Sequence, residues 1–160
     1  VGDTTEFVIG TSSKIYLAAI LDLFSRYVVG WAVSPSNDRH LALKALDMAL
    51  KRRGSTTGML FHSDQGSPYA SEDYRDRLAA RGLVCSMSRR GNCYDNAVME
   101  SFFSTVKSEL ADQFASFADA KMELFDYVEV FYNQQRRHSS AGRISPAAYE
   151  KRYVQMSQVA

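Results

Sequence analysis

Only two cysteines, Cys85 and Cys93, occur in 160 residues. That is too few for a disulfide framework, and they do not form a C-x-x-C pair. Reduced thiols suit a cytosolic setting. The three histidines, at 40, 62 and 138, show no zinc-ligand spacing with one another or with the cysteines. Long apolar runs are also missing. Near the start the longest is IYLAAIL (15–21), far short of a membrane span, and the opening VGDTTEF has no leader-like character. The expectation is a cytoplasmic domain with no membrane partner. Strong charge of either sign is absent too: the formal net charge is +1, which neither argues for nor excludes a nucleic-acid partner. No internal repeat, low-complexity tract or interdomain linker breaks the chain. With 46% hydrophobic and 23% charged residues, it is long enough for one domain with a sizeable core and too short for two.

What is present is a clear alternation of elements. TTEFVI (4–9), KIYLAAILDLF (14–24) and RYVVGWAVS (26–34) are rich in β-branched and aromatic residues and read as a meander of three strands. HLALKALDMALKRRG (40–54) is an amphipathic helix ending at Gly54. GMLFHSD (58–64) reads as a fourth strand, SEDYRDRLAARG (71–82) as a helix capped by Ser71, and LVCSMS (83–88) as a fifth strand. In NCYDNAVMESFFSTVKSEL (92–110), Val98, Met99, Phe102, Phe103, Val106 and Leu110 recur at the spacing of a buried helical face. A long helix follows over 116–137, capped by Ser116. The order β-β-β-α-β-α-β-α-α implies an α/β fold with a mixed five-stranded sheet flanked by helices.

Among 18 acids, position has to select. Asp64 ends a strand whose Met59-Leu60-Phe61 reads as buried, and ligands bind at that edge of open α/β sheets. Taken alone it would equally serve as a turn former. Asp3 shares one face of the first strand with Thr5, Phe7 and Ile9, although a residue so near a terminus could simply be exposed. Asp22 is a competing acid that reads as a turn former beside Arg26. Glu100 falls with Asn96 and Lys107 in a narrow stripe at the rim of the apolar face, at about 100° per residue; a surface glutamate is the plain alternative. Three converging carboxylates suit hard divalent cations, and two such ions about 3.5–4 Å apart can clamp a phosphodiester. Lys107, two turns beyond Glu100, is placed to meet a phosphate. The basic clusters Lys51-Arg52-Arg53, Arg89-Arg90, Arg136-Arg137-His138 and Lys151-Arg152 are most simply solvated patches.

The words around these acids carry a resemblance. HSDQGSPY and GNCYDNAVMESFFSTVKSEL resemble the second and third catalytic blocks of bacterial insertion-sequence transposases of the two-reading-frame fusion type. YLAAILDLFSRYVVGWAVS and YNQQRRHSSAGRISPAAYE resemble that group's second-strand region and C-terminal signature. The family's acidic triad falls on Asp3, Asp64 and Glu100, the last two separated by the 35 residues 65 to 99, and its basic residue falls on Lys107.

The resemblance implies a ribonuclease-H-like, retroviral-integrase-like catalytic core over residues 1–154, with 155–160 a frayed tail. It implies Mg²⁺ (or Mn²⁺), two ions with DNA bound, at the three acids. The implied chemistry cleaves transposon ends to free a 3′-hydroxyl, which then attacks another phosphodiester. Partners would be transposon-end and target DNA and further copies of the chain, and the protein would be associated with the nucleoid when bound. SRRGNCY (88–94) would be a DNA-touching loop in which Arg89, Arg90, Asn92 and Tyr94 make contacts, with Arg137 a further candidate. For Tyr132, Asn133, Arg137 and His138, helix-end packing is the alternative. Such proteins carry an upstream DNA-binding region, expected to be absent here. Ala141 stands where a larger apolar residue is expected. The competing function is a catalytically silent remnant that only binds DNA or oligomerises.

Overall fold

The computed structural model describes residues 1–64, 66, 68–87, 97–110 and 113–159. The first strand, β1 (Gly2–Ile9), pairs antiparallel with β2 (Ser13–Leu21) along its length, from Gly2 opposite Ile20 to Ile9 opposite Ser13. Next, β3 (Val28–Ser34) pairs antiparallel with β2 on its other side. Leu17, Ala19 and Leu21 of β2 face one core, Ala18 and Ile20 the other. Burial on both faces explains why IYLAAIL is continuously apolar rather than alternating.

After β3 the chain forms α1 (Arg39–Arg53), β4 (Leu60–Ser63), α2 (Glu72–Ala79) and β5 (Val84–Met87). Strand β4 runs parallel to β1, in register at Gly2 and Ser63, and β5 runs parallel to β4. The sheet order is β3-β2-β1-β4-β5, the mixed sheet expected. A sixth strand, β6 (Gln113–Phe114), also pairs parallel with β1. Two residues are too few to leave a period in sequence.

Helices α1 and α2 cover one face: Leu41, Leu46, Tyr74 and Leu78 pack with Ala18, Ile20, Val29 and Phe61. The other face carries α3 (Ala97–Glu109) and α4 (Phe117–Phe125), and α4 continues as a π-helical segment, Asp126–Tyr132. Met99, Phe102, Phe103 and Val106 are buried there against Phe7, Leu17, Leu124 and Val128. The spacing of α3's apolar residues is therefore met by its burial.

Four sequence expectations shift. The second strand ends at Leu21, not Phe24, because Asp22 Oδ1 accepts from the N–H groups of Phe24 (2.8 Å) and Ser25 (3.2 Å) and closes a turn. Met59 and Leu60 are exposed and only Phe61 is buried, so the apolar run before Asp64 is one-sided. The helix capped by Ser116 ends at Tyr132 rather than 137. Finally, Pro146–Val159 forms α5, a helix missing from the expected order of elements. Ser145 followed by Pro146 was its signal: Ser145 Oγ accepts from Ala148 N, and proline suits the first helical position. Ala141, despite its size, is buried.

Candidate active site

Asp3 and Asp64 reach neighbouring strand positions through two features of their chain neighbours. Gly2 and Ser63 form the β1–β4 pair, so the residue after each lies at the same level of the sheet. A Cβ on Gly2 would stand 2.8 Å from the Phe61 ring, so only glycine lets β4 lie this close. Asp3 is opposite Ala19, which belongs to the core under α3, so strand alternation turns Asp3 toward α3. Alternation past Phe61 and Ser63 turns Asp64 the same way.

Each carboxylate is oriented by local backbone. Asp3 Oδ1 accepts from Thr4 N (2.7 Å). Asp64 Oδ1 accepts from Gly66 N (2.8 Å), and a Cβ at Gly66 would sit 2.8 Å from that same oxygen. Tyr69 ties the two together. Its buried hydroxyl lies 3.1 Å from Thr4 Oγ1, and its ring packs edge-on to Tyr74. Burial raises the Tyr69 pKa; the Thr4 hydrogen bond opposes this, and the charges of Asp3 and Asp64 add to it. Gly66 and Tyr69 were missed as site residues in the sequence, although both lie inside HSDQGSPY. Their roles come from close approach, which no periodicity encodes.

Glu100 lies in the first turn of α3 with an exposed side chain, at the rim of the buried face as its angle predicts. Seven residues on, Lys107 is half-buried, with Nζ 5.4 Å from the centre of the Phe7 ring, on the face of β1 that carries Asp3. Beyond α3, β6 lies beside Val8 and Ile9. The C-terminal end of α3 is thereby fixed near the far end of β1. Among the described residues, no group of three His, Cys, Asp or Glu stands close enough to hold a metal ion. The register sets Asp3 and Asp64 at one level of the sheet, and α3, which carries Glu100, packs on the same face. The donor set is all oxygen, which fits Mg²⁺ or Mn²⁺ and not a thiolate- or imidazole-bound metal.

The competing acid Asp22 is committed elsewhere, its Oδ2 taking Arg53 at 2.9 Å. Arg89, Arg90, Asn92 and Tyr94 lie outside the described residues. Arg137 is exposed, just past the π-helical segment. Its neighbours in the C-terminal signature pack: Tyr132 and Asn133 are buried, and Arg136 makes a two-pronged ion pair with Glu109.

Among the described residues no helix is long and apolar enough to cross a membrane. The profile of the Integrase core domain family matches residues 1–93, and a second Integrase core domain profile matches 81–146. The chain is 43% identical over 159 residues to the insertion element IS600 uncharacterized 31 kDa protein of Shigella sonnei, covering 98% of this chain and 58% of that one. It is 43% identical over 140 residues to transposase InsF for insertion sequence IS3A of Escherichia coli K12, covering 86% of this chain and 49% of that one. It therefore spans about half the length of these relatives.

Solved structures of the same fold include a chain of the simian T-cell lymphotropic virus intasome, with a TM-score of 0.73 at 15% identity. That match covers 92% of this chain and 52% of that one. The HTLV-2 integrase catalytic core in complex with magnesium has a TM-score of 0.58 at 13% identity, covering 92% of both chains. The mixed sheet with helices on both faces is thus the ribonuclease-H-like architecture of retroviral integrase cores, and the chain belongs to the integrase core domain family, beside the insertion-sequence transposases.

Proposed function

We propose that this chain is the catalytic portion of a bacterial DNA transposase. It would cleave at transposon ends to free a 3′-hydroxyl and join that end to another DNA phosphodiester. The observation that supports the reading is the Gly2–Ser63 register of parallel β1 and β4, which sets the next residues, Asp3 and Asp64, at one level, with α3 carrying Glu100 and Lys107 on the same face.

Asp3, Asp64 and Glu100 would hold Mg²⁺ or Mn²⁺, two ions when DNA is bound. The metal supplies Lewis-acid stabilisation of the attacking and leaving oxygens. The chain's own part is to aim the two strand carboxylates through Thr4, Gly66 and Tyr69. Helix α3 brings the third carboxylate from the other side, and Lys107 meets a phosphate oxygen. Arg89, Arg90, Asn92, Tyr94 and Arg137 would add backbone contacts, which position DNA without reading its sequence. Transposon-end and target DNA are the partners, further copies of the chain complete the assembly, and the bacterial cytoplasm and its nucleoid are the setting. A silent DNA-binding remnant is the second reading, which the assay below separates from the first.

In the intact natural protein, with paired transposon-end DNA and Mg²⁺, Asp64→Asn is expected to reduce end cleavage and strand transfer to background while end binding persists. Strand transfer retained in that variant would falsify the assignment. Inactivity of the unsubstituted protein in the same assay would favour the silent remnant.

A further inference from the structure

A cleft of about 570 Å³ opens on the far side of α3 from Glu100 and Lys107, between that helix, the β2–β3 turn and the C-terminal signature. Its working side chains are Ser101 and Thr105 on α3, Arg26 on the turn, and Arg136, Arg137 and His138. Three cations and two helix hydroxyls around one concavity are poorly suited to an apolar ligand. They suit an anion with several oxygens.

Two further observations favour a ligand over an incidental basic patch. Arg26 holds a left-handed backbone conformation, with φ 64°, which a side chain rarely adopts and which marks functional positions more often than chance. The turn closes through Arg26 N donating to Asp22 O at 2.8 Å and through Asp22 Oδ1, with no use of the Arg26 side chain, so glycine would serve it as well. The cations are also unevenly neutralised. Glu109 takes Arg136, whereas Arg26 and Arg137 have no carboxylate partner among the described residues. The resulting field reaches His138, whose pKa is pushed down to about 4 by burial and then by Arg136 and Arg26, with only Glu109 opposing.

We propose that this cleft is a second phosphodiester-binding site, in which Arg26 and Arg137 hold the backbone of a DNA strand flanking the one at the acids. The inference rests on the transposase reading for the identity of its ligand. The cleft and the acid edge share α3. Ala97 to Thr105 spans about 12 Å of helix, long enough for more than one phosphate of a single strand. A strand crossing the start of α3 would therefore place consecutive phosphates along the cleft.

The double variant Arg26→Gly with Arg137→Ala tests this. Glycine accepts the turn geometry and Arg137 is exposed, so the thermal midpoint is expected to stay the same or rise. Binding of a fluorescent oligonucleotide of arbitrary sequence is measured by anisotropy in EDTA across a salt series. The double variant is expected to bind about tenfold more weakly at low salt, with the log–log salt slope reduced by about one and a half to two. In the unsubstituted chain, the His138 ring resonances should shift as oligonucleotide is added. An unchanged slope in the folded double variant overturns the proposal, as does failure of the unsubstituted chain to bind. Loss of self-association with DNA binding intact overturns it too, since the cleft would then seat a second copy. Because neither metal nor end sequence enters this assay, its outcome is separate from that of Asp64→Asn.

Discussion

At Gly66 the seat of the Asp64 carboxylate depends on the absence of a single carbon. Its N–H holds Asp64 Oδ1 at 2.8 Å, and an added Cβ would stand 2.8 Å from that oxygen and 3.3 Å from the other. The atom in the way is the tip of a side chain, so Gly66→Ala should move the carboxylate rather than the backbone. Stability should change by no more than about 0.5 kcal/mol, while activity falls on the order of 10²-fold, the cost of a misplaced catalytic group. Thermal melts alongside strand-transfer rates check this; a fully active variant would show that Asp64 needs no such seat. His138 gives a pH prediction at the same scale. Its folded pKa, about 4, lies below the unfolded value of about 6.5. Between these values the unfolded chain binds the extra proton, so stability is complete above about pH 6.5 and is lost as pH falls toward 4. The ring is half-exposed, which holds the loss to the order of 1 kcal/mol. His138→Gln should flatten that slope, measured as the thermal midpoint against pH.

Elements differ in how far the sequence disclosed them. Helix α3 was legible because its residues repeat at helical spacing and their burial follows that repeat: Met99 and Val106 are fully buried, while Glu100 is exposed. Strand β4 was legible in place but not in burial, since apolar identity at Met59 and Leu60 does not reveal that their side faces outward. Asp3 and Asp64 could be ranked by position, but their meeting depends on one register pair and one glycine, neither of which leaves a periodic trace. The least legible element was the end of the long helix. Its π-helical turn exists alongside Asn133, which is fully buried and caps the edge strand β3. Asn133 Oδ1 accepts from Val28 N at 2.9 Å, and Nδ2 donates to Val28 O at 3.1 Å. The side chain replaces a missing neighbour strand, one way to close an open sheet edge. Asn133→Asp keeps the shape but cannot donate to Val28 O, and Asn133→Ala leaves Val28 N–H without a partner. Each should cost about 1–3 kcal/mol. Denaturant unfolding should show the loss, and an unaffected midpoint would mean that water replaces the amide. Asn133 is thus a packing residue, and Arg137, four positions on, is the one turned to solvent.

Across the whole molecule, the sheet gathers negative charge from distant parts of the chain onto one edge. Asp3 and Asp64 are brought side by side by the parallel return of β4 to β1, and Tyr69 holds the loop beyond them against Thr4. Two carboxylates so placed suit a bound divalent cation. Asp3 and the residue after β4, Asp64, belong to the sheet, while Glu100 comes from α3, so a cation should engage the two aspartates without waiting for the helix. A ligand that binds only the folded state stabilises it by mass action, by about 1.4 kcal/mol at ten times its dissociation constant. For a domain of this size, that corresponds to a rise of about 3–5 °C in thermal midpoint. Titrating the chain with Mn²⁺ at constant ionic strength should therefore raise the midpoint, and NaCl alone should not. Asp3→Asn and Asp64→Asn should each abolish the rise, whereas Glu100→Gln should keep most of it in the absence of DNA. A rise that survives both aspartate changes would place the cation elsewhere. One lost equally in Glu100→Gln would show that the helix carboxylate closes onto the strand pair before DNA arrives.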